Sequence, residues 1–532
     1  MSQGKTISSR TKFDEWLDNT GLKHEPHQKK AVEWCLKREN ASENKGGIIA
    51  DEMGLGKTIE ILGTVYSNPM NHTLIVLPYS LLSQWTKIIE NIFPGKALVF
   101  HGVKRNIFSI DFIKEHPIVL TTYGAVTKKK IEPVIENQLY NIEWDRIIYD
   151  EAHHIRNKTT GVNTGVHKLK TAITWLLTGT PIQNSIEDLY SLFELLGFKN
   201  RSQYFKKEHV LLEEYMLRRT KEEAGIKLPT CKSEIVNVEW KYPKQQKLAK
   251  QIHSRLQFSN IDILDEMLTG SGTLNSYSEI TTTHTESPLA IISRAKKMCT
   301  IPKIMDGSII ETETESDSGI NTNIRTNNKV IEMLCRSSKI ESVVNKVLER
   351  KKNGRPKLIF CYFHAEIDEL ARLLRDKGLE VKKLDGRTSK KERISILESP
   401  CEVLIGQIDA TNEGLNLQSY KDIYIVSPHW NPAIEDQAIA RCHRIGQTEE
   451  VCVFHFQMNG FDGYEKLEKH GLPIPKALTL DQYICKVQEI KRNIVKKAFG
   501  LESCNLEKDK KIKKTLQKQE KTKKKKKIFL II

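Results

Sequence analysis

Asp51-Glu-Met-Gly-Leu-Gly-Lys-Thr58 is the stretch that decides the fold, because it joins an apolar strand-length run, GGIIA, to a helix-like run, TIEILGTVY. A glycine-rich loop between a strand and a helix can surround phosphate oxygens with backbone N–H groups, and the helix N-terminus adds positive potential. In this pattern Lys57 reaches the β- and γ-phosphates, and Thr58 ligates magnesium. Asp51 stands where the general pattern has its first glycine, although Gly54 supplies an internal one. The stretch therefore predicts a site for ATP and Mg²⁺.

A pair of carboxylates follows a second apolar strand, in Arg146-Ile-Ile-Tyr-Asp-Glu-Ala-His153. Asp150 is suited to hold magnesium through water, and Glu151 to orient or deprotonate the attacking water. An Asp-Glu pair at a strand end is usually a solvated turn. Its position downstream of a phosphate loop in the same predicted sheet favours the catalytic interpretation.

Strand-length apolar runs alternate with helix-length segments in two blocks of similar size. The first block contains GGIIA, HTLIVLP, ALVFHG, PIVLTTY, RIIYDEAH and TWLLTGTP, and the second contains KLIFCYF, VKKLDG, CEVLIGQ, DIYIVSP and VCVFHF. This alternation predicts an α/β fold of parallel sheets with helices on both faces. We predict a flexible N-terminus at 1–20, lobe 1 at 21–238, a helical and loop insertion at 239–335, lobe 2 at 336–475 and a C-terminal extension at 476–532.

Charge is concentrated at the end of this 532-residue chain, which has a formal net charge of +16. Residues 508–527 hold twelve lysines against Asp509 and Glu520, which leaves about +6 for the rest. One interpretation of such a tail is a solvated extension. The functional alternatives are an electrostatic contact with nucleic acid and an import signal. The ten cysteines form no C-x-x-C pair, which argues against a zinc ribbon and a disulfide scaffold. No run of about 18 apolar residues is present, so no transmembrane helix is predicted.

Two threonines end another strand-length run, in Leu176-Leu-Thr-Gly-Thr-Pro181. Thr178 and Thr180 are small hydroxyl residues beside the predicted pocket. We expect them to sense the γ-phosphate and to couple its state to the nucleic-acid side. Taken alone, the stretch is only a strand with a turn.

Taken together, these motifs resemble the Swi/Snf-type ATPases, the DNA-translocating branch of helicase-like superfamily two. DEMGLGKT is that family's own form of the phosphate loop, and HEPHQKKAVEW (24–34) resembles its adenine-reading segment, with Gln28 in the glutamine position. LLTGTPIQNS (176–185) and YMLRRTKEE (215–223) follow in the family's order. The resemblance implies two RecA-like lobes in tandem. The nucleotide-binding residues it implies are Gln28, Asp51, Glu52, Met53, Gly54, Leu55, Gly56, Lys57, Thr58 and Gln437.

The most specific match is WNPAIEDQAIARCHRIGQT, at 430–448. Arg441 and Arg444 lie three residues apart, on one face of a helix. By the resemblance they are arginine fingers that cross the cleft and stabilise charge on the γ-phosphoryl group. Gln437 lies one turn before Arg441.

The resemblance also implies which residues contact DNA. The strand-end segments LIVLPYSLLSQW (74–85) and IVLTTYGAV (118–126) resemble those that grip a DNA backbone. In lobe 2, Ala410-Thr-Asn-Glu-Gly-Leu-Asn-Leu417 departs from the family's glycine-rich form, because Thr411 and Asn412 replace two glycines. Gly414 is expected to couple the lobes. The predicted DNA contacts are Pro78, Ser80, Trp85, Thr121, Thr122 and Asn416.

The activity implied by the resemblance is ATP hydrolysis coupled to translocation on double-stranded DNA, in chromatin remodelling, transcription or repair. The expected location is the nucleus, or a viral factory or the cytoplasm if the protein is viral. One alternative is a strand-separating helicase on DNA or RNA. Another is a non-catalytic DNA-binding scaffold, which would require a defective pocket. The presence of Lys57, Asp150 and Glu151 argues against the scaffold.

Overall fold

The computed structural model describes residues 11–127, 137–198, 209–254, 256–257, 281–282, 288–302, 336–411, 415–461 and 478–499. Within them the predicted α/β class is confirmed, because two parallel sheets form, each with helices packed on it. No helix in these ranges is both long and apolar enough to span a bilayer. The Lys-rich stretch 508–527 lies outside the described residues.

The first sheet has seven parallel strands, which lie in the order β3 (Ala97–Phe100), β4 (Ile118–Thr122), β2 (Thr73–Leu77), β5 (Glu143–Tyr149), β6 (Lys170–Leu177), β1 (Lys45–Ile49) and β7 (Met216–Leu217). The inner strand β2 is buried throughout, as expected for a parallel sheet covered on both faces. Strands β5, β6 and β1 are neighbours, and each is followed by one of the lobe 1 motifs. Because the carboxyl ends of parallel strands meet at one edge of a sheet, the phosphate loop, the acid pair and the threonine turn converge there.

The second sheet has six parallel strands, which lie in the order β12 (Val381–Leu384), β13 (Val403–Gln407), β11 (Lys357–Cys361), β14 (Asp422–Ile425), β15 (Val451–Met458) and β8 (Cys231–Val238). Strand β8, Cys231–Val238, pairs with β15 over its whole length. The predicted end of lobe 1 at residue 238 is therefore wrong, since this segment already belongs to the second sheet. A short run of alternating apolar and polar residues has the same pattern in either sheet. Only the long-range pairing with β15 shows that β8 belongs to the second sheet.

The N-terminal segment contains a packed helix, α1, Lys12–Thr20. Thr11 and Asp14 form a capping box at its start. Phe13, Trp16 and Leu17 are buried in the core that also holds the helix after the phosphate loop. The prediction of a flexible N-terminus is wrong for this helix, and residues 1–10 lie outside the described part. Three apolar side chains at helical spacing were enough to fix it.

The described parts of the predicted insertion pack on lobe 2. Helix α10, Pro288–Thr300, buries Ile291, Ala295 and Met298 in the core of the second sheet. Helix α9 contributes Ala249 and Ile252 to the same core. These two helices are therefore part of lobe 2 and not a separate unit.

The last described helix, α16 (Leu480–Ala498), contacts both lobes. Leu480 and Ile484 near its start are buried in the lobe 2 core. Ile494, Val495 and Phe499 at its end pack against the lobe 1 core. The described part of the predicted C-terminal extension, 478–499, therefore packs against both lobes.

Fifteen strands are described. They are β1 (Lys45–Ile49), β2 (Thr73–Leu77), β3 (Ala97–Phe100), β4 (Ile118–Thr122), β5 (Glu143–Tyr149), β6 (Lys170–Leu177), β7 (Met216–Leu217), β8 (Cys231–Val238), β9 (Leu256–Gln257), β10 (Thr281–Thr282), β11 (Lys357–Cys361), β12 (Val381–Leu384), β13 (Val403–Gln407), β14 (Asp422–Ile425) and β15 (Val451–Met458).

The α-helices in the described ranges flank these strands. They are α1 (Lys12–Thr20), α2 (Pro26–Glu39), α3 (Lys57–Ser67), α4 (Tyr79–Ile92), α5 (Ile110–Lys114), α6 (Tyr123–Val126), α7 (Gly161–Val166), α8 (Ile186–Leu195), α9 (Pro243–Ser254), α10 (Pro288–Thr300), α11 (Ser338–Glu349), α12 (His364–Asp376), α13 (Lys390–Glu398), α14 (Ile408–Thr411), α15 (Pro432–Ala440) and α16 (Leu480–Ala498).

Candidate active site

The phosphate loop connects β1 to the first turn of α3. Gly54 and Gly56 have φ angles of 91° and 96°, which L side chains rarely adopt. A Cβ on Gly56 would also lie 2.3 Å from Nε2 of Gln28. Lys57 begins α3, and its Nζ donates a hydrogen bond of 2.7 Å to the carbonyl of Asp51. The loop thus has the backbone shape, the helix N-terminus and the lysine that a triphosphate requires.

The segment predicted to read adenine lies against this loop. His27 Nε2 is 2.9 Å from the carbonyl oxygen of Leu55, and Gln28 Nε2 donates to the same oxygen at 3.0 Å. Both side chains come from the first turn of α2 and are buried. Gln28 is therefore brought to the loop, as expected for a nucleotide-binding residue.

Three predicted nucleotide-binding residues of the loop direct their side chains elsewhere. The Asp51 carboxylate is fully buried and pairs with Arg219. Leu55 is buried in the protein, and Glu52 binds Lys221 at 2.7 Å. A carboxylate beside a triphosphate would repel it, whereas an acid bound to a cation supports the loop from behind. A part for these three residues in nucleotide binding through their backbone stays a prediction.

Arg219 is a site residue that no sequence argument identified. It follows β7, pairs with Asp51, donates to Glu60 at 2.9 Å and donates to the carbonyl of His27 at 2.6 Å. It therefore joins the adenine-reading segment, the phosphate loop and α3. The pair of arginines in YMLRRTKEE was the available signal, but nothing in the sequence indicated their partners.

Asp150 and Glu151 lie at the carboxyl end of β5, and Asp150 is held on three sides. Its Oδ1 accepts from the Glu151 backbone at 3.0 Å, its Oδ2 from Trp85 Nε1 at 2.9 Å, and its carbonyl from the Tyr123 hydroxyl at 2.7 Å. Glu151 has a φ of 49°. A non-glycine residue in this left-handed region is strained, and such strain is concentrated at functional sites.

The two carboxylates have opposite pKa shifts. Burial, and then the neighbouring charge of Glu151, raise the pKa of Asp150. For Glu151, burial is outweighed by the hydrogen bond and charge of His153, with smaller contributions from Lys57 and Arg441, so its pKa is lowered. Glu151 is therefore held in its charged form, as a water-orienting group requires, and a cation at Asp150 would offset the cost of ionising that residue.

Two predicted DNA contacts are wrong because their side chains point into lobe 1. Trp85 is only 2% exposed and donates to Asp150. Thr121 is fully buried, and its hydroxyl donates to the carbonyl of Phe100 at 2.9 Å. Residues on a helix or strand alternate between core and surface, and a motif quoted as a string does not show which of its residues face outward.

The other predicted DNA contacts lie at surfaces or clefts. Pro78, Ser80 and Thr122 line a cleft of about 750 Å³ at the carboxyl edge of the first sheet, although Pro78 and Thr122 are themselves buried. Thr122 Oγ1 also lies 3.2 Å from His101 Nδ1. Asn416 is exposed on lobe 2. No contact in the structure tests these four residues, and their role stays a prediction.

A chain of hydrogen bonds runs from the threonine turn of lobe 1 to lobe 2. Thr180 N donates to the Thr178 hydroxyl at 3.1 Å, and Gln183 Nε2 donates to the Thr180 hydroxyl at 3.0 Å. Gln183 Oε1 in turn accepts from Asn431 Nδ2 at 2.9 Å. Asn431 is the N-cap of α15, which is called the arginine-bearing helix because Arg441 is its C-cap. The predicted coupling threonines therefore lead directly to this helix. Gly414, the other predicted coupling residue, lies outside the described residues.

The two predicted arginine fingers follow α15 and face the phosphate loop. The prediction that both lie on one helical face is wrong, because the helix ends at Ala440 and Arg444 lies in the turn after it. Arg441 is the C-cap of this helix and is near enough to Glu151 to lower the pKa of that carboxyl. A Cβ on Gly54 would lie 3.3 Å from the Cβ of Arg444. Burial, and then the charge of Arg441, lower the pKa of Arg444. Two confined guanidinium groups that repel each other are suited to a polyanion.

Gln437, one turn before Arg441, is 5% exposed. Its carbonyl accepts the backbone N–H of Arg441 at 3.2 Å. Within the described part of the chain its Nε2 has no hydrogen-bond partner. Its predicted role at the nucleotide is not tested by these contacts.

These contacts define a class of protein: a two-lobed nucleotide-binding protein with a phosphate loop and an acid pair on one lobe and a pair of arginines on the other. Residues 27–304 match the SNF2-related domain, and residues 338–446 match the helicase conserved C-terminal domain. The chain therefore belongs to the SNF2-related family of helicase-like ATPases, which confirms the resemblance seen in its motifs.

Individual relatives have low sequence identity. A DNA excision repair protein ERCC-6-like from Danio rerio is 28% identical. The match covers 80% of this chain but only 34% of the Danio rerio protein. The probable global transactivator of Orgyia pseudotsugata multicapsid polyhedrosis virus is 26% identical, with 89% of this chain and 94% of the viral protein covered. A solved structure, the Sulfolobus solfataricus SWI2/SNF2 ATPase core in complex with dsDNA, is 24% identical and has a TM-score of 0.36. The match covers 82% of this chain and 88% of the Sulfolobus chain.

Proposed function

We propose that the protein is a DNA-dependent ATPase that translocates on double-stranded DNA and remodels DNA–protein complexes. The observation that carries this proposal is the approach of Arg441 and Arg444 to the phosphate loop from the other lobe. A protein that only bound nucleotide would need no second lobe there. Arginines that reach the γ-phosphate on closure make hydrolysis depend on the arrangement of the lobes.

ATP and Mg²⁺ are the cofactors that the residues fit. The amides of the phosphate loop and Lys57 would hold the β- and γ-phosphates, Gln28 would contact the base, and Thr58 and Asp150 would hold the metal. When bound, the metal ion would neutralise charge on the phosphate oxygens. Glu151 orients the attacking water, and Arg441 and Arg444 stabilise the charge that develops on the γ-phosphoryl oxygens.

The proposed partner is duplex DNA. The relative named for DNA excision repair supports a role on DNA, as does the net charge of +16. Each lobe would grip the phosphates of one tract, with Ser80 on lobe 1 and Asn416 on lobe 2, so that closing and reopening move the protein along the duplex. Backbone contacts of this kind give position and salt dependence but little sequence choice. The proposed location is the nucleus or, given the viral relative, a viral factory.

The proposal is tested by measuring ATP hydrolysis with duplex DNA, single-stranded DNA, RNA and nucleosomes side by side. We expect the strongest stimulation by duplex DNA, and displacement of a third strand from a triplex without opening of the duplex. ATP-driven release of one strand of a duplex would indicate a strand-separating helicase instead. A rate that no nucleic acid changes would contradict the proposal.

A further inference from the structure

Helix α16 presents a buried lysine to the region where the lobes meet. Lys491 is 4% exposed, although the end of its helix lies at the protein surface. Its Nζ donates to Asn184 Oδ1 of lobe 1 at 2.9 Å and to the carbonyl of Trp430 in lobe 2 at 2.9 Å. One ammonium group therefore joins both lobes, and it lines the cavity of about 470 Å³ between them.

Both acceptors lie beside catalytic elements. Asn184 follows Gln183 in the turn that contains Thr180, and its backbone N–H donates to Asp188 at 2.7 Å. Trp430 precedes Asn431, the N-cap of the arginine-bearing helix α15. Lys491 consequently links the turn that contains Thr180 on lobe 1 to the start of α15 on lobe 2.

The charge on Lys491 is costly to bury. Burial, and then the nearby Arg156, lower the pKa of Lys491 to about 8. A buried ammonium is tolerated when oxygen acceptors surround it. If the lobes separate, Asn184 and Trp430 cannot both stay bound. Among the arrangements in which Lys491 is buried, it therefore selects the one that brings both oxygens to its ammonium group.

We propose that Lys491 is a positioning residue for ATP hydrolysis, which holds the lobes in the arrangement that brings Arg441 and Arg444 to the nucleotide. The inference rests on the proposed function. The hydrogen bonds of Lys491 go to Asn184 and Trp430, neither of which is a predicted nucleotide-binding residue or DNA contact. Its removal should therefore slow turnover while leaving ATP binding and DNA binding intact.

The test compares Lys491→Met and Asn184→Ala, alone and combined, in the full chain. We expect each single change to lower the DNA-stimulated kcat roughly tenfold, with the KM for ATP and the affinity for duplex DNA unchanged within about twofold. The double variant should be no slower than the slower single variant, because both changes remove one contact. Lys486→Gln, which removes a charge from the same helix away from the cavity between the lobes, should leave kcat unchanged.

The outcomes separate this inference from the proposed function. An active wild-type protein with an unchanged kcat in Lys491→Met, or with independent effects in the double variant, overturns the role of Lys491 alone. A wild-type protein without DNA-stimulated hydrolysis refutes the proposed function. If Lys491→Met does not fold, Asn184→Ala and Asn184→Asp decide the matter: aspartate should preserve turnover by pairing with the ammonium, and equal rates for the two variants would contradict the inference.

Discussion

The two lobes contribute to one cleft in different ways. Lobe 1 holds its groups by contacts of its own: Asp51 supports Lys57, Trp85 binds Asp150, and Arg219 braces the loop. In lobe 2, the start of the arginine-bearing helix is held in part by Gln183 of the other lobe. Nucleotide binding is thus prepared within one domain, whereas the presentation of the arginines depends on contact between the two. Binding and hydrolysis should therefore be separable by mutation.

The largest separation is expected for Arg441→Ala. Loss of this guanidinium should lower kcat by roughly 10³-fold or more, because an arginine finger acts on charge that develops only during phosphoryl transfer. ATP affinity should change little, because the groups of lobe 1 remain. Equilibrium binding of a labelled ATP analogue and the steady-state rate with duplex DNA measure the two effects. An unchanged rate would remove the finger role.

Glu151→Gln should give a somewhat smaller loss from the lobe 1 side. An amide cannot accept the proton of the attacking water, and the expected decrease in kcat is about 10²- to 10⁴-fold. Glutamine has nearly the same shape, so the protein should stay folded and bind ATP, which circular dichroism and analogue binding would check. DNA-stimulated turnover at the wild-type rate would refute the assignment of Glu151.

Arg219→Ala tests how the loop is braced. Two buried carboxylates, those of Asp51 and Glu60, would lose their partner, and breaking such a pairing costs about 3–5 kcal/mol. We expect a lower free energy of unfolding in urea and weaker ATP binding together. Arg218→Ala removes a neighbouring arginine that lies over the Phe499 ring, and serves as the control. Equal decreases in the free energy of unfolding and in ATP binding for the two variants would show that the contacts of Arg219 with Asp51 and Glu60 do not brace the loop.

The smallest expected effect is that of Gln183→Ala, which interrupts the hydrogen bonds between Thr180 and Asn431. Each bond contributes about 1 kcal/mol, so kcat should fall roughly tenfold while the KM for ATP stays constant. A rise in KM without a change in kcat would place Gln183 in nucleotide binding and not in lobe coupling.

The local chemistry of the site could be predicted from the sequence because each motif is a short string at a strand end. Parallel strands bring such ends to one edge, which is why Lys57, Asp150 and Thr178 were predicted to meet. The burial of Trp85 and Thr121 could not be predicted from the motif strings. A strand or helix has an inner and an outer face, and the resemblance to a DNA-gripping segment does not assign its residues to either.

Contacts between distant parts of the chain were not predictable. Lys491 and Asn184 are 307 positions apart, and Arg219 and Asp51 are 168 apart. Their side chains are polar and would ordinarily be assigned to the surface. Only the packing of α16 across both lobes, and of β7 beside β1, brings these partners together. Long-range pairing with β15 likewise places β8 in lobe 2, although its position in the sequence predicted lobe 1.

The central claim is that groups from both lobes meet around a single nucleotide. A crystal structure with a non-hydrolysable ATP analogue, Mg²⁺ and duplex DNA tests it most directly. We expect Lys57 Nζ and the Arg441 guanidinium to lie within about 3 Å of oxygens on the same γ-phosphate. A bound nucleotide contacted by lobe 1 alone, with Arg441 directed to solvent, would contradict it.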